Sequence, residues 1–265
     1  MIITDMDSKK PLFRLYLLCC LIPLLAIACR AQLIKKPPVK TTNSSESFSI
    51  NSSVLRVGST GDYPPLTSFD TLTHQFQGDE IDLALRLGKD LGKKVIFIKT
   101  TWKDLDTDLL TSKFDIAIGG ISVNAARAKQ FNFSVPLLMD RKVAVFRLAD
   151  RNRFKDFNSI DQPAVRIMEN IGGTNEIFAQ KHIQRATIHV IPDNQQVFKA
   201  LSDNNADVMF TDETEAKYQQ KKHPELYWIT LNDDISPAYA KAMMFNKTDT
   251  VLQRKVNEWL KKENK

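Results

Sequence analysis

Four short stretches hold the side chains best suited to chemistry, and each follows what reads as a β-strand. In Gly119-Gly120-Ile121-Ser122-Val123-Asn124-Ala125-Ala126-Arg127 a strand ends, the backbone opens, and a short helix presents Ser122, Asn124 and Arg127 near its start. Helix N-terminal amides and a planar, two-pronged guanidinium together trap a carboxylate. The same spacing also fits a solvated arginine on a helix surface. Gly172-Gly173-Thr174-Asn175-Glu176 repeats the arrangement. The Thr174 hydroxyl and nearby amides suit a second anionic group, whereas Glu176 alone is equally a first-turn acid complementing the helix dipole. Thr211-Asp212-Glu213-Thr214-Glu215 places Asp212 where an acid binds an ammonium group, holds a partner side chain, or merely caps the next helix. Gly61-Asp62-Tyr63-Pro64-Pro65 and Thr100-Thr101-Trp102 supply Tyr63 and Trp102, either as walls for a flat or cyclic ligand or as ordinary core.

Glycine is scarce, nine residues in all, yet four of them form the pairs Gly119-Gly120 and Gly172-Gly173. Paired glycines after strands allow close backbone approach or positive φ, and a plain tight turn uses them too. No GxGxxG, GxxxxGK[ST] or GxSxG pattern occurs, so nucleotide-binding and serine-nucleophile mechanisms lack support. The three cysteines, Cys19, Cys20 and Cys29, all lie near the N-terminus, and His74, His182, His189 and His223 show no ligand spacing. The body therefore offers no thiolate site, and no metal is expected.

These motifs need a scaffold, and the chain is long enough for one. Its 265 residues, 43% hydrophobic and 26% charged, fit one large domain or two small lobes with a real core. The net charge is +6, of which residues 1–31 carry +2 through Lys9, Lys10, Arg14 and Arg30 against Asp5 and Asp7. No Lys/Arg block occurs in the remainder, which argues against nucleic acid as a partner.

Lys9, Lys10 and Arg14 precede an apolar run from Leu15 to Cys29, fifteen residues against the about 20 that a membrane-spanning helix needs. Residues 1–31 thus read as a secretory signal, with Ala26-Ile27-Ala28 as the cleavage pattern. Leu25 to Cys29 also resembles a lipobox, making Cys29 a lipidation candidate; cleavage beside an incidental cysteine and an uncleaved anchor helix are the other readings. Residues 32–53 are polar, with Pro37-Pro38, and read as a flexible tether. The protein is expected to act in the periplasm.

From Val54 onward, short apolar strands alternate with helix-spaced segments in two series of about 90 residues. The expected fold is α/β: two lobes, each a mostly parallel sheet flanked by helices, with a ligand cleft between them. Residues 54–146 plus 239–265 are assigned to the first lobe and 147–238 to the second.

The order of the pieces resembles the type II periplasmic binding proteins for amino acids over roughly Val54 to Lys261. In that resemblance GGIS…R is the carboxylate clamp, implying Gly120, Ser122 and Arg127, and Asp212 is the amine-binding acid. A more specific resemblance is to the cyclohexadienyl dehydratases, enzymes on this fold. It rests on GDYPP (61–65), IDLA (81–84), TTWKDL (100–105), GGIS (119–122), GGTNE (172–176), PDN (192–194) and HPEL (223–226). The resemblance implies decarboxylating dehydration of prephenate to phenylpyruvate, and of arogenate to phenylalanine, with Glu176 as proton donor and often a trimeric assembly. Substrate would be bound by Arg127, Ser122, Asn124, Gly120, Thr174, Asn175, Asp212, Trp102, Tyr63 and Asp62. Aromatisation drives such a reaction, so no cofactor is expected. Two departures stand out: Asn124 replaces a threonine frequent three residues before the clamp arginine, and the chain ends soon after Trp259, so a final first-lobe helix is expected to be missing. Glu176 must keep its proton at neutral pH, which requires desolvation or a facing substrate carboxylate. The competing reading is an amino-acid receptor feeding a transporter.

Overall fold

A computed structural model describes residues 52–263. The signal segment, Cys29 and almost all of the tether lie outside those residues. The chain opens with β1 (Val54–Ser59), a small antiparallel sheet of β2 (Asp62–Tyr63), β3 (Thr67–Asp70) and β4 (Gln75–Gln77), and helix α1 (Asp79–Asp90). Then come β5 (Lys94–Lys99), α2 (Leu105–Leu110), β6 (Ile116–Ala117), α3 (Ala125–Gln130) and β7 (Phe131–Phe133). A connector, β8 (Leu138–Asp140), leads to the second series: β9 (Lys142–Arg147), α4 (Phe157–Ile160), β10 (Arg166–Asn170), α5 (Thr174–His182) and β11 (Thr187–Ile191). It continues through α6 (Asn194–Ser202), β12 (Val208–Asp212), α7 (Glu213–Lys222) and β13 (Leu226–Thr230). The returning connector is β14 (Tyr239–Lys241), followed by β15 (Met244–Asn246) and α8 (Thr250–Glu263).

The two main sheets share one plan, β5-β1-β6-β15-β7 and β11-β10-β12-β9-β13. In each, the first three strands are parallel and the fourth is reversed, pairing antiparallel with both neighbours. Four strands of five therefore point one way, which is the mostly parallel α/β architecture expected from the sequence. Each reversed strand is the one entered straight from a connector. The connectors pair with each other, Tyr239 opposite Asp140 and Lys241 opposite Leu138, and so form a two-stranded hinge.

One boundary moves. Residues 142–146, assigned to the first lobe from sequence, form β9 in the second sheet, between β12 and β13. The physical reason is two-sided burial. Val143 and Val145 pack with Val197, Phe198, Leu201 and Ala216 on one face, and Ala144 and Phe146 with Phe154, Ile160 and Ala179 on the other. A strand covered on both faces reads as a continuous apolar run, with no alternation to show which sheet it joins. In the first lobe, α1 and α8 cover the sheet through Ile81, Ala84 and Leu87 and through Leu252, Val256 and Trp259. The Trp259 indole also donates to Asp90 (2.8 Å), tying the two helices together.

Candidate functional site

The ends of β1, β6, β10 and β12 face one another across the cleft, and the glycine pairs are what let them approach. Gly119 and Gly120 have φ of +104° and +80°, and a Cβ on Gly120 would stand 2.8 Å from the Tyr63 ring. Buried Glu80 fixes this turn by accepting both amides, at 2.7 and 3.2 Å. Gly172, with φ +81°, lies so close to the Lys103 backbone that a Cβ would reach within 2.5 Å of its Cα. Gly119, Gly120 and Gly172 thus serve positive φ and close approach, beyond what a plain turn requires, whereas Gly173 has an ordinary φ of −90°. Asn194 and Gln195 at the start of α6 close the cleft by donating to the Asp62 carbonyl (3.2 and 2.7 Å), while the Trp102 indole donates to the Asp62 carboxylate (3.0 Å).

At the centre lies Asp212, at the end of β12. One carboxylate oxygen accepts from Lys142 (2.6 Å) and from the Tyr239 hydroxyl; the other accepts from Lys241 (2.6 Å) and the Tyr63 hydroxyl. Lys142, Lys241, Asp212 and Tyr63 are all buried, none more than 3% exposed. Burial pushes the Asp212 carboxyl up, but the two ammonium groups outweigh it and hold titration far below the usual carboxylate range. The Tyr63 and Tyr239 hydroxyls are raised by burial and then by Asp212, so both remain donors. Lys142 is pushed down by burial, with Asp212 opposing. Each lysine spends its three hydrogens on three acceptors: Lys142 on Asp212, Thr174 Oγ1 and Asn175 Oδ1, and Lys241 on Asp212, the Gly120 carbonyl and Ser122 Oγ.

Next to this cluster sits a second buried acid. Glu215, in the first turn of α7 and fully buried, accepts from Thr211 (2.6 Å) and from Asn194 (2.8 Å). Burial foremost, then the Asp212 and Asp62 charges, overcome those hydrogen bonds and raise its titration to about 8. Glu169 on β10 is also buried and raised well above its ordinary value; one oxygen accepts the Phe210 amide and the other has no partner.

Tyr63, Trp102, Gly120, Thr174, Asn175 and Asp212, all expected from sequence, come together around one cavity, joined by Asn170, Gly173 and Asn194. Its volume is about 10 Å³, room for one water, so a six-membered ring enters only when the lobes part. Tyr63 and Trp102 meet edge to face at 5.9 Å. Ser122 and Asn124 line instead a neighbouring cavity of about 390 Å³ that shares Thr174 and is also bounded by Lys142 and Tyr239. Asn124 caps α3 by accepting the Arg127 amide (2.9 Å).

Arg127, Glu176 and Glu215 line neither cavity; Glu215 lies behind Asn194, which does. The Arg127 guanidinium is buried and donates to Asp106 on α2 (3.2 Å) and toward the Ser122 carbonyl. Glu176 is half-buried; its oxygens accept the Gly172 amide (2.6 Å) and the Gln180 side chain (2.8 Å). Asp212 is not an open ammonium acceptor either, because its oxygens are taken. Sequence reasoning missed Lys142, Lys241, Tyr239, Asn194 and Glu215. The available signals were weak ones: a lysine inside the apolar segment Tyr239–Phe245, and Glu215 on the same helical face as buried Ala216 and Gln219.

The sequence profile of the bacterial extracellular solute-binding proteins, family 3, matches residues 55–265. The chain belongs to that family. It is 37% identical to the cyclohexadienyl dehydratase of Pseudomonas aeruginosa, over 89% of this chain and 86% of the relative. Among solved structures it is similar to an ancestral amino acid-binding protein described as a precursor of cyclohexadienyl dehydratase, at 30% identity and TM-score 0.74, covering 80% of this chain and 90% of the other. The holo arginine-binding protein of T. maritima superposes with TM-score 0.72 at 25% identity, covering 80% and 91%. Binding proteins and a dehydratase therefore share this two-lobed frame, and the residues in the cleft must distinguish them.

Proposed function

We propose that the protein is a cyclohexadienyl dehydratase, converting prephenate to phenylpyruvate with loss of water and carbon dioxide. The observation that carries the reading is Glu215, a buried carboxyl with titration raised to about 8 and a hydrogen bond to Asn194 of the cleft cavity wall. Hydroxide is a poor leaving group, and a placed acid contributes about 10²- to 10⁴-fold by protonating it. The electron pair of the bond to the ring carboxylate moves into the ring as carbon dioxide leaves. The ring becomes aromatic, and the C–O bond breaks as the Glu215 proton reaches the departing oxygen. Glu215 is left as a carboxylate and recovers its proton from solvent when the lobes open.

Sequence reasoning gave this role to Glu176. The oxygens of both acids are engaged, those of Glu176 by the Gly172 amide and Gln180 and those of Glu215 by Thr211 and Asn194, and the raised titration of Glu215 is what favours it here. Arg127 holds Asp106 through its Nε, so a substrate carboxylate would be met by its terminal nitrogens. Tyr63 and Trp102 offer aromatic faces to the ring, and Lys142 and Lys241 supply positive charge for a dianion. Export to the periplasm, with the signal cleaved beside Cys29 or Cys29 lipidated, and a trimeric assembly complete the proposal.

The test is to mix purified protein with prephenate and follow phenylpyruvate enolate absorbance. Turnover supports the reading. Absence of turnover together with thermal protection by a standard L-amino acid supports a transport receptor, the reading that the family and the ancestral amino acid-binding neighbour favour.

A further inference from the structure

Four side chains on the wall of the cleft cavity carry a carbonyl or carboxylate oxygen: Asn170, Asn175, Asn194 and Asp212. Three of them are engaged within the chain. Both Asp212 oxygens accept from lysine and tyrosine side chains, Asn175 Oδ1 accepts from Lys142, and Asn170 Oδ1 accepts from the Asn175 amide. Asn194 is only 1% exposed, yet its Oδ1 has no partner among the described residues. The other end of this amide fixes which way it faces. Nδ2 gives its two hydrogens to the Asp62 carbonyl (3.2 Å) and to Glu215 (2.8 Å). Turning the amide over would set Oδ1 against the Asp62 carbonyl, acceptor against acceptor. Oδ1 is therefore the end left for a donor from outside the chain.

The surroundings narrow the kind of donor. A single neutral oxygen matches a group with one hydrogen to give, a hydroxyl. Tyr63 and Trp102 present aromatic surface on the same wall, so the hydroxyl it fits is one carried on a ring. Such a ring enters with the lobes apart, which carries the Asp62 carbonyl away from Asn194. Glu215 stays beside it, because α6 and α7 pack into one core through Val197 and Ala216. We propose that Asn194 recognises a ring hydroxyl, its Oδ1 accepting the hydroxyl hydrogen, and that in prephenate it thereby holds the departing oxygen beside Glu215. With its hydrogen so engaged, that oxygen keeps its lone pairs for the incoming proton. Asn194 orients the hydroxyl and transfers no proton itself. The prephenate half of the proposal rests on the dehydratase reading; the preference for a ring hydroxyl does not.

The test is a pair of ligands measured on two proteins by titration calorimetry. 4-Hydroxyphenylpyruvate and phenylpyruvate differ only by a hydroxyl on the ring carbon opposite the side chain, the position from which prephenate loses its own. A ligand that leaves a buried acceptor unpaired binds more weakly, so the wild type should hold 4-hydroxyphenylpyruvate about tenfold tighter or more. Asn194→Ala removes the acceptor, and the two dissociation constants should then agree within about twofold. A merely structural asparagine would weaken both ligands alike, so a preference that persists in folded Asn194→Ala overturns the proposal. Equal binding of the pair by the wild type, or binding of neither, overturns it too. On prephenate, kcat/KM of Asn194→Ala should fall by about tenfold or more, and a value near wild type refutes the placing of the departing hydroxyl. If Asn194→Ala does not fold, the wild-type pair decides. If the wild type does not turn over prephenate, the dehydratase reading fails, and the ligand pair still decides whether Asn194 recognises a ring hydroxyl.

Discussion

Replacing Glu215 by Gln separates the two acids of the cleft. The side chain is isosteric, and the Thr211 hydroxyl can still donate to its oxygen. Asn194, whose Oδ1 lacks a partner, can rotate its amide to accept from the new NH₂ group, so a folded variant is expected. With titration near 8, about nine-tenths of Glu215 is protonated at pH 7, so the wild type holds a ready donor and the variant none. Turnover of prephenate should fall by about 10²- to 10⁴-fold while phenylpyruvate binding persists, and Glu176→Gln should stay within about threefold of wild type. Stability supplies an independent reading. A carboxyl raised from 4.5 to about 8 binds its proton more tightly in the folded state. Wild-type stability should therefore decline as pH rises from about 4.5 to 8, by a few kcal/mol and at most about 5, and then level off. Glu215→Gln has no such proton to lose, so urea denaturation across this range should show a flatter profile and greater relative stability above pH 8. Wild-type turnover should fall over the same alkaline range. Near-normal activity in Glu215→Gln, or a pH–stability profile identical to wild type, refutes the assignment.

Three further outcomes follow from the geometry. Gly120→Ala forces a Cβ to 2.8 Å from the Tyr63 ring at φ +80°, and should cost about 3 kcal/mol in urea denaturation as Tyr63 is displaced from Asp212. Gly172→Ala obstructs the approach of Lys103 in the closed cleft, so KM should rise by about tenfold, a larger effect than any change in kcat. Asp207 binds Arg166 and Arg147 (2.9 and 3.1 Å), and despite burial, which raises it, these hydrogen bonds lower its titration to about 2. Its contribution is complete above about pH 4 and lost as pH falls toward 2, so Asp207→Asn should remove that acid-limb loss and weaken the fold at neutral pH by about 2 kcal/mol, read by thermal denaturation at several pH values.

The pocket walls were the most legible part of the site. Tyr63, Trp102, Gly120, Thr174, Asn175 and Asp212 were each named from their position after a strand, and each lines the cavity. That succeeds because parallel strands with crossover helices place their carboxyl ends on one edge, so chain position alone selects the cleft. What those residues do was less legible. Asp212 read as an acid for an ammonium ligand, for a partner side chain or for capping a helix; the structure shows it holding side chains, Lys142 and Lys241, about 70 residues before it and about 30 after it in a chain whose order does not place them.

Sequence alone determined the alternation of strands and helices, the α/β architecture and the glycine turns, because these follow from local periodicity and from backbone conformations open mainly to glycine. Tertiary structure decided which sheet β9 joins, which carboxyl loses its water, and which charges meet at the hinge. Desolvation and ion pairing depend on everything that surrounds a group in space. Glu176 and Glu215 are the same residue type near the starts of similar helices; only the fold leaves one half-exposed to water and seals the other beside Asp212.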